Sequence, residues 1–224
     1  MMQDTNKRNL YITAALFILF VIFTFAVSVI GVDAVGPEGT SVGFASLNQK
    51  FAQSHDYSSV WYAVTKILGV IAILICVFFA ANGVLQLVSG KSLKKVSPKL
   101  LVLAGLYVAV LVFYVVFNKI VINYRPVLEA DGSLEASYPS SHAMLAVCVF
   151  ISAIIQIMTG KGSEKFKKIV CVVLGVFTVI MVIGRLLSGV HWLTDIIGGV
   201  ILSAALLMAY YTALRSIYPA EEDY

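Results

Sequence analysis

This 224-residue chain is short of charge: Lys, Arg, Asp and Glu together make up 12% of it, against 60% hydrophobic residues. A soluble domain carries about twice that share of charge, so much of this surface faces something other than water. The formal net charge is only +4. No Lys/Arg-rich run has the form of a nucleic-acid arm, which sets nucleic-acid partners aside. Cysteine is scarce as well. Cys76, Cys148 and Cys171 are odd in number and each sits in an apolar run, which argues against a disulfide framework and for packing roles. Internal repeats, low-complexity tracts and domain linkers are missing too. One membrane domain over residues 1–224 is the simplest organisation.

Long apolar runs are what the chain does have. A helix crossing ~30 Å of hydrocarbon needs roughly 17–25 such residues. Six segments qualify, at about 10–32, 60–88, 100–121, 142–160, 168–186 and 191–214. The first follows Lys7 and Arg8, and Ala26-Val27-Ser28 faintly resembles a cleavage site. Its apolar core is far longer than the roughly 7–15 residues of a signal peptide, so a retained span is expected. The expected fold class is all-α, a six-transmembrane-helix bundle. Positive charge orients it. Lys7, Arg8, Lys91, Lys94, Lys95, Lys99, Lys161, Lys165, Lys167, Lys168 and Arg215 fall on one set of connections. Lys50, Lys66, Lys119, Arg125 and Arg185 fall on the other. The positive-inside rule then puts both termini in the cytoplasm and segments 33–66, 119–142 and 185–195 on the outer face. Tyr57, Trp61, Tyr62, Tyr124, Tyr138 and Trp192 lie near the outer ends, where interfacial belts favour Tyr and Trp.

Two outer segments gather Lys119, Arg125, His142, Arg185, His191 and Asp195. A charge near lipid is costly and usually has a partner or a job. In "GRLLSGVHWLTD", residues 184–195, His191 and Asp195 are four apart. With a helix starting near His191 they share a face, and the carboxylate accepts from one imidazole nitrogen. The other nitrogen is left basic, as an oriented nucleophile or general base. The alternative is an interfacial histidine beside an Asp cap. "YPSSHAM", residues 138–144, opens the fourth span. A plain N-cap accounts for its serines. The same first turn is also an anion site. There the Ser140 hydroxyl and the Ser141 amide donate to a phosphate, and His142 gives a proton to a leaving oxygen. Arg125 and Arg185 add planar, permanently charged donors. No set of residues has metal-ligand spacing, and no cofactor is called for. The chemistry implied is phosphoryl transfer by positioning and charge stabilisation. His191 attacks phosphorus, His142 protonates the leaving group, and water then releases phosphate.

These residues resemble the type-2 phosphatidic acid phosphatase superfamily of integral-membrane lipid phosphatases, which shares its core with vanadium haloperoxidases. The family patterns K-x6-R-P, P-S-G-H and S-R-x5-H-x3-D read here as Lys119 to Arg125-Pro126, Pro139-Ser140-Ser141-His142, and Gly184-Arg185 to His191 to Asp195. Five residues, not six, separate Lys119 from Arg125, and Asn118 holds the lysine position. Ser141 stands for the glycine and Gly184 for the serine. The resemblance implies metal-independent hydrolysis of an amphiphilic lipid phosphate or pyrophosphate through a phosphohistidine. Phosphatidic acid, phosphatidylglycerophosphate and polyprenyl pyrophosphate are the substrate classes. It assigns His191, His142 and Asp195 to catalysis, and Arg125, Arg185, Ser140, Ser141 and Lys119 to the phosphate. A phosphotransferase of the same family, or an inactive lipid-binding or transport homologue, are the alternatives. The expected location is a bacterial-type plasma membrane, multi-pass, with the site extracytoplasmic. In "SVGFASLNQKF", residues 41–51, Phe44, Leu47 and Phe51 share a helical face. This reads equally as a helix over the site mouth or a loop lying on lipid. Glu129, Asp131 and Glu135 read as a solvated loop.

Overall fold

The computed structural model describes residues 2–54, 56–160 and 162–218. Lys161 of the positively charged set lies outside them. Among the described residues there are seven α-helices: α1 Met2–Val29, α2 Ala45–Gln53, α3 Ser59–Gly90, α4 Pro98–Lys119, α5 Ser141–Met158, α6 Glu164–Leu187 and α7 Leu193–Ile217. All but α2 are long and apolar enough to cross a membrane.

Hydropathy locates the part of each helix that suits lipid, not its ends. α1 begins at Met2, eight residues before the apolar run, because Lys7 and Arg8 are good helix formers. It stops at Val29, where Gly31 takes a left-handed φ of +54°. The carbonyls of Ile30 and Gly31 then accept from Phe44 and Ala45. α3 has 32 residues, about 48 Å at 1.5 Å per residue, so it tilts or projects beyond the hydrocarbon. α7 starts at Leu193 rather than at 191, which leaves His191 in the turn before it.

α5 and α7 form the centre of the bundle. α7 packs on α1, α4 and α5; α5 packs on α3, α4 and α6. Small residues permit the close approach. A Cβ on Gly198 would stand 2.5 Å from the Tyr138 ring, and one on Gly199 would stand 3.1 Å from the Ser140 carbonyl. One apolar cluster gathers Phe20, Leu103, Leu106, Val110, Tyr138, Met144 and Leu206. A second, between α3, α5 and α6, holds Leu68, Val149, Phe150, Leu174 and Met181. The outward faces of α1, α3, α4 and α6 carry exposed Leu, Ile, Val and Phe, a surface suited to hydrocarbon rather than water.

The segments 30–58, 120–140 and 188–192 meet at one end of the bundle. Trp192 Nε1 donates to the Tyr124 carbonyl at 2.7 Å. Asn48 Nδ2 donates to Thr194 Oγ1 at 2.9 Å, and the Gly43 amide donates to Asn123 Oδ1 at 3.3 Å. α2 therefore forms, but its buried face is Ala45 and Asn48. It ties the outer loop to the start of α7, and Leu47 stays exposed. Tyr138 is no interfacial ring: it is buried, and its hydroxyl shares a hydrogen bond with Thr24.

Candidate active site

The three segments converge on His191. Ser188 closes α6, and Gly189 reverses the chain with a φ of +71°. That turn presents His191 toward the bundle axis, 4% exposed. The imidazole does not bond Asp195 directly, contrary to the expectation from their spacing; Nδ1 and Oδ2 are 3.8 Å apart. Ser137 lies between them. Its Oγ donates to Asp195 Oδ2 at 2.5 Å and is 2.9 Å from His191 Nδ1. The reason is local. Asp195 is the third residue of α7, and its Oδ2 turns back to accept the Trp192 amide at 3.0 Å, satisfying a helix-end donor. Oδ1 accepts from Asn123 Nδ2 at 2.9 Å. The carboxylate is thus fully buried and engaged by three donors.

This chain of bonds fixes the tautomer. The Ser137 proton goes to the carboxylate, so its oxygen accepts from His191 Nδ1–H. Nε2 keeps its lone pair and accepts from Arg185 Nη2 at 2.8 Å. Burial, followed by the charges of Arg185, Arg125 and His142, holds His191 well below the ordinary imidazole range. The ring is neutral, with its lone pair on Nε2.

Arg185 is fully buried on the last turn of α6, with its guanidinium 5.7 Å from the Tyr62 ring centroid. Arg125 is 4% exposed. A hairpin-like segment positions it: the Arg125 amide donates to the Glu135 carbonyl at 3.0 Å and Ser137 to Asn123 at 2.9 Å. Glu129 and Glu135 are therefore not free in a loop. They pair with Arg125 at 2.5 and 2.9 Å. Burial first, and then the hydrogen bond from Glu129, raises the Glu135 carboxyl above its usual range.

Ser140 is the buried N-cap of α5, its Oγ accepting the Ala143 amide at 3.5 Å and its own amide donating to the Asp195 carbonyl at 3.0 Å. Ser141 and His142 follow in the first turn. Ser141 and His142 line one cavity with Met144 and Leu145. Among the described residues, buried polar atoms without a protein partner include Arg125 Nε, Arg185 Nε, Arg185 Nη1 and His142 Nδ1. Buried donors are normally paired. Three unpaired guanidinium donors and the His142 ring nitrogen are the kind of groups an oxyanion can pair with.

The structure thus brings together His191, Asp195, His142, Arg125, Arg185, Ser140 and Ser141. Lys119 stays apart, exposed on the last turn of α4, because the one-residue offset turns it by ~100°. Asn118 folds back, its Nδ2 donating to the Tyr114 carbonyl at 2.8 Å. Sequence reading missed Ser137 and Asn123, which carry no periodic signal. It also passed over Lys66, although that is the lone charge in segment 60–88. Among the described residues no group of three or more His, Cys, Asp and Glu side chains has a metal-holding arrangement.

Similar proteins bear on this geometry. Phosphatidylglycerophosphatase B of Bacillus subtilis (strain 168) is 39% identical over 64 residues, covering 28% of this chain and 32% of that protein. Human sphingosine-1-phosphate phosphatase 2 is 32% identical over 90 residues, covering 39% of this chain and 22% of that protein. The chain thus spans a third or less of these curated relatives. In fold, the chain matches the crystal structure of a transmembrane PAP2-type phosphatidylglycerolphosphate phosphatase from Bacillus subtilis. The TM-score is 0.65 at 19% identity, over 93% of this chain and 98% of that one. The sequence profile of the PAP2 superfamily matches residues 72–218, and the chain belongs to that superfamily.

Proposed function

We propose that the chain is a single membrane-embedded phosphatase domain over residues 1–224 that hydrolyses lipid phosphates without a metal, through a phosphohistidine on His191. The observation that carries this reading is the neutral, buried His191. Its Nδ1 side is held by Ser137 and Asp195, and its Nε2 lone pair faces Arg185. A substrate phosphate entering between Arg125 and Arg185 takes up their unpaired donors and displaces Glu129 and Glu135 from Arg125. Nε2 then attacks phosphorus as the bond to the leaving oxygen breaks. His142 passes a proton to that oxygen, and the negative charge of the bound phosphate favours its protonated form. As Nε2 becomes bonded, positive charge grows on the ring, and the Ser137–Asp195 relay stabilises it. Water next attacks the phosphohistidine. His142 takes a proton from the water, the N–P bond breaks, and inorganic phosphate leaves. The two arginines supply the fixed positive charge that a metal supplies in other phosphoryl-transfer sites.

The substrate is an amphiphile. A cavity of about 460 Å³ runs from Ser141 and His142 between α3, α4 and α5 past Ile73, Tyr107, Leu111 and Leu145. Its rim residues Ile73, Val77, Leu111 and Tyr114 are exposed to the lipid side. This supports an acyl or prenyl chain entering sideways with its phosphate at the site. Lys91, Lys94, Lys95 and Lys99 lie at the opposite end of the bundle, which supports cytoplasmic termini and an extracytoplasmic site in a bacterial-type plasma membrane. The test is phosphate release by the purified protein over a panel of phosphatidic acid, phosphatidylglycerophosphate, sphingosine-1-phosphate and polyprenyl diphosphate. His191→Ala is run beside it. Turnover of at least one lipid, lost in His191→Ala, is expected. No release from any lipid phosphate, or equal release by the variant, overturns the proposal.

A further inference from the structure

Lys66 has no place in the chemistry above. It lies seven residues into α3, about 10 Å from the helix start at 1.5 Å per residue, and it is the lone charge in segment 60–88. Among the described residues it has no carboxylate or hydrogen-bond partner. Its Nζ stands 5.1 Å from the centroid of the Tyr62 ring, the same ring that stacks under Arg185. Lys66 is exposed at the outer end of α3, where an ammonium without a carboxylate partner is free to meet an anionic headgroup.

Three observations aim it at the phosphate. Tyr62, Lys66 and Gly69 form one stripe of α3 at i, i+4 and i+7. A Cβ on Gly69 would lie 3.5 Å from His142 Cδ2, so the stripe faces His142. Lys66 Nζ and the Arg185 guanidinium share the Tyr62 ring, at 5.1 and 5.7 Å from its centroid. Finally, α3 is held unusually near α6 at this level. A Cβ on Gly184 would come within 2.8 Å of Thr65 Cγ2 and 3.1 Å of Trp61 Cε3. The missing side chain at Gly184 is therefore what lets α3 close on α6 beside Arg185, with Lys66 left exposed next to Thr65. Lys119 is exposed on the last turn of α4 and Asn118 is uncharged, so α3 offers a cation that the end of α4 does not.

We infer that Lys66 is a substrate-binding residue for a second phosphate, one carried on the leaving-group side of the scissile phosphorus. The protein then favours lipids with two phosphate groups over single phosphomonoesters. This rests on the proposed function, in which His142 protonates the leaving oxygen. The tail cavity continues from His142 along α3, through Ile73, Cys76 and Val77. The leaving group then lies beside His142, which lines that cavity together with α3 residues one to two turns beyond Gly69. When a monophosphate is cleaved, the P–O bond electrons and the His142 proton produce a neutral alcohol, which offers an ammonium little. When a lipid diphosphate is cleaved, the same step releases a lipid monophosphate whose anionic oxygens stand beside Lys66. A phosphodiester in the headgroup of a lipid phosphomonoester presents its charge in the same region.

The test uses Lys66→Met and Lys66→Arg in the full chain. Steady-state kinetics compare a polyprenyl diphosphate with the monophosphate of the same chain length. Loss of one charge-assisted contact lowers the diphosphate-to-monophosphate ratio of kcat/KM roughly tenfold or more in Lys66→Met, mainly through KM, and Lys66→Arg restores most of it. An unchanged ratio overturns the inference, because a lysine that only reaches for the interface acts on both substrates alike. A second arm needs no turnover. Wild-type protein binds inorganic pyrophosphate more tightly than orthophosphate by calorimetry, and Lys66→Met removes that preference. Equal preference in both proteins overturns the role of Lys66. Failure of the wild type to release phosphate from any lipid overturns the hydrolytic reading instead, and the calorimetry still decides on Lys66.

Discussion

Replacing Ser137 with alanine removes one oxygen from the centre of the His191 relay. That oxygen joins His191 Nδ1 at 2.9 Å to Asp195 Oδ2 at 2.5 Å. The two groups it joins are 3.8 Å apart, too far for a direct hydrogen bond. Asp195 keeps Asn123 and the Trp192 amide, so the start of α7 stays capped. The variant should fold with a near-normal thermal midpoint. The loss falls on the transition state, where the imidazole gains positive charge. A hydrogen bond to a charged group contributes about 1.5–3 kcal/mol, which corresponds to roughly a 10- to 150-fold fall in kcat. KM should change little, because Ser137 lies on the far side of the ring from Nε2. The assay is initial-rate phosphate release from a lipid phosphate in mixed micelles, for Ser137→Ala, Asp195→Asn and the pair. Both act through the same oxygen, so the double variant should be little worse than the poorer single one. A Ser137→Ala enzyme within about threefold of wild type, or fully additive losses, would refute the relay; threefold is about 0.6 kcal/mol, well under one such bond.

Three further outcomes follow from the same geometry. In the proposed mechanism Glu135 competes with substrate for Arg125, and its raised carboxyl pKa means it ionises later than an ordinary glutamate as pH rises. Its grip on Arg125 therefore weakens as pH falls through its titration. Relative to Glu135→Gln, wild-type KM should rise as pH increases through that range, a difference that paired KM–pH profiles measure. A Cβ at Gly198 meets the Tyr138 ring at 2.5 Å, so Gly198→Ala should destabilise by about 1–3 kcal/mol, as overpacking does. It should also displace Ser140, and a lowered thermal midpoint together with lowered activity checks both effects. Orthovanadate, which adopts trigonal-bipyramidal geometry, should inhibit competitively, and excess chelator should leave turnover intact; loss of activity on chelation would contradict the arginine-based charge stabilisation.

The six spans were legible because charge is nearly absent inside them, and Lys66 is the instructive exception. It read as an ordinary residue near a helix end, since nothing local says which way α3 is rotated. That rotation is set by the contact of Thr65 and Trp61 with Gly184, far away in the chain. Arg125, His142, Arg185, His191 and Asp195 were visible as a group because each interrupts or bounds an apolar run. The partners that orient them were not. Ser137 and Asn123 lie in a segment without helical or strand periodicity, where register comes from the pairing of Tyr124 with Ala136. The same pairing brings Glu135 to Arg125, so a loop that looked solvated holds the arginine in place. The i, i+4 spacing of His191 and Asp195 suggested a direct bond, which the capping of α7 by Asp195 prevents.

The proposed hydrolysis requires that His191 Nε2 become bonded to phosphorus. Rapid quenching of the enzyme during turnover of a lipid carrying a radiolabelled terminal phosphate, followed by peptide mapping, tests this directly. The expected label is stable to alkali and labile to acid, located on His191, and absent from His191→Ala. Label on another residue, or undiminished turnover by His191→Ala, would contradict it.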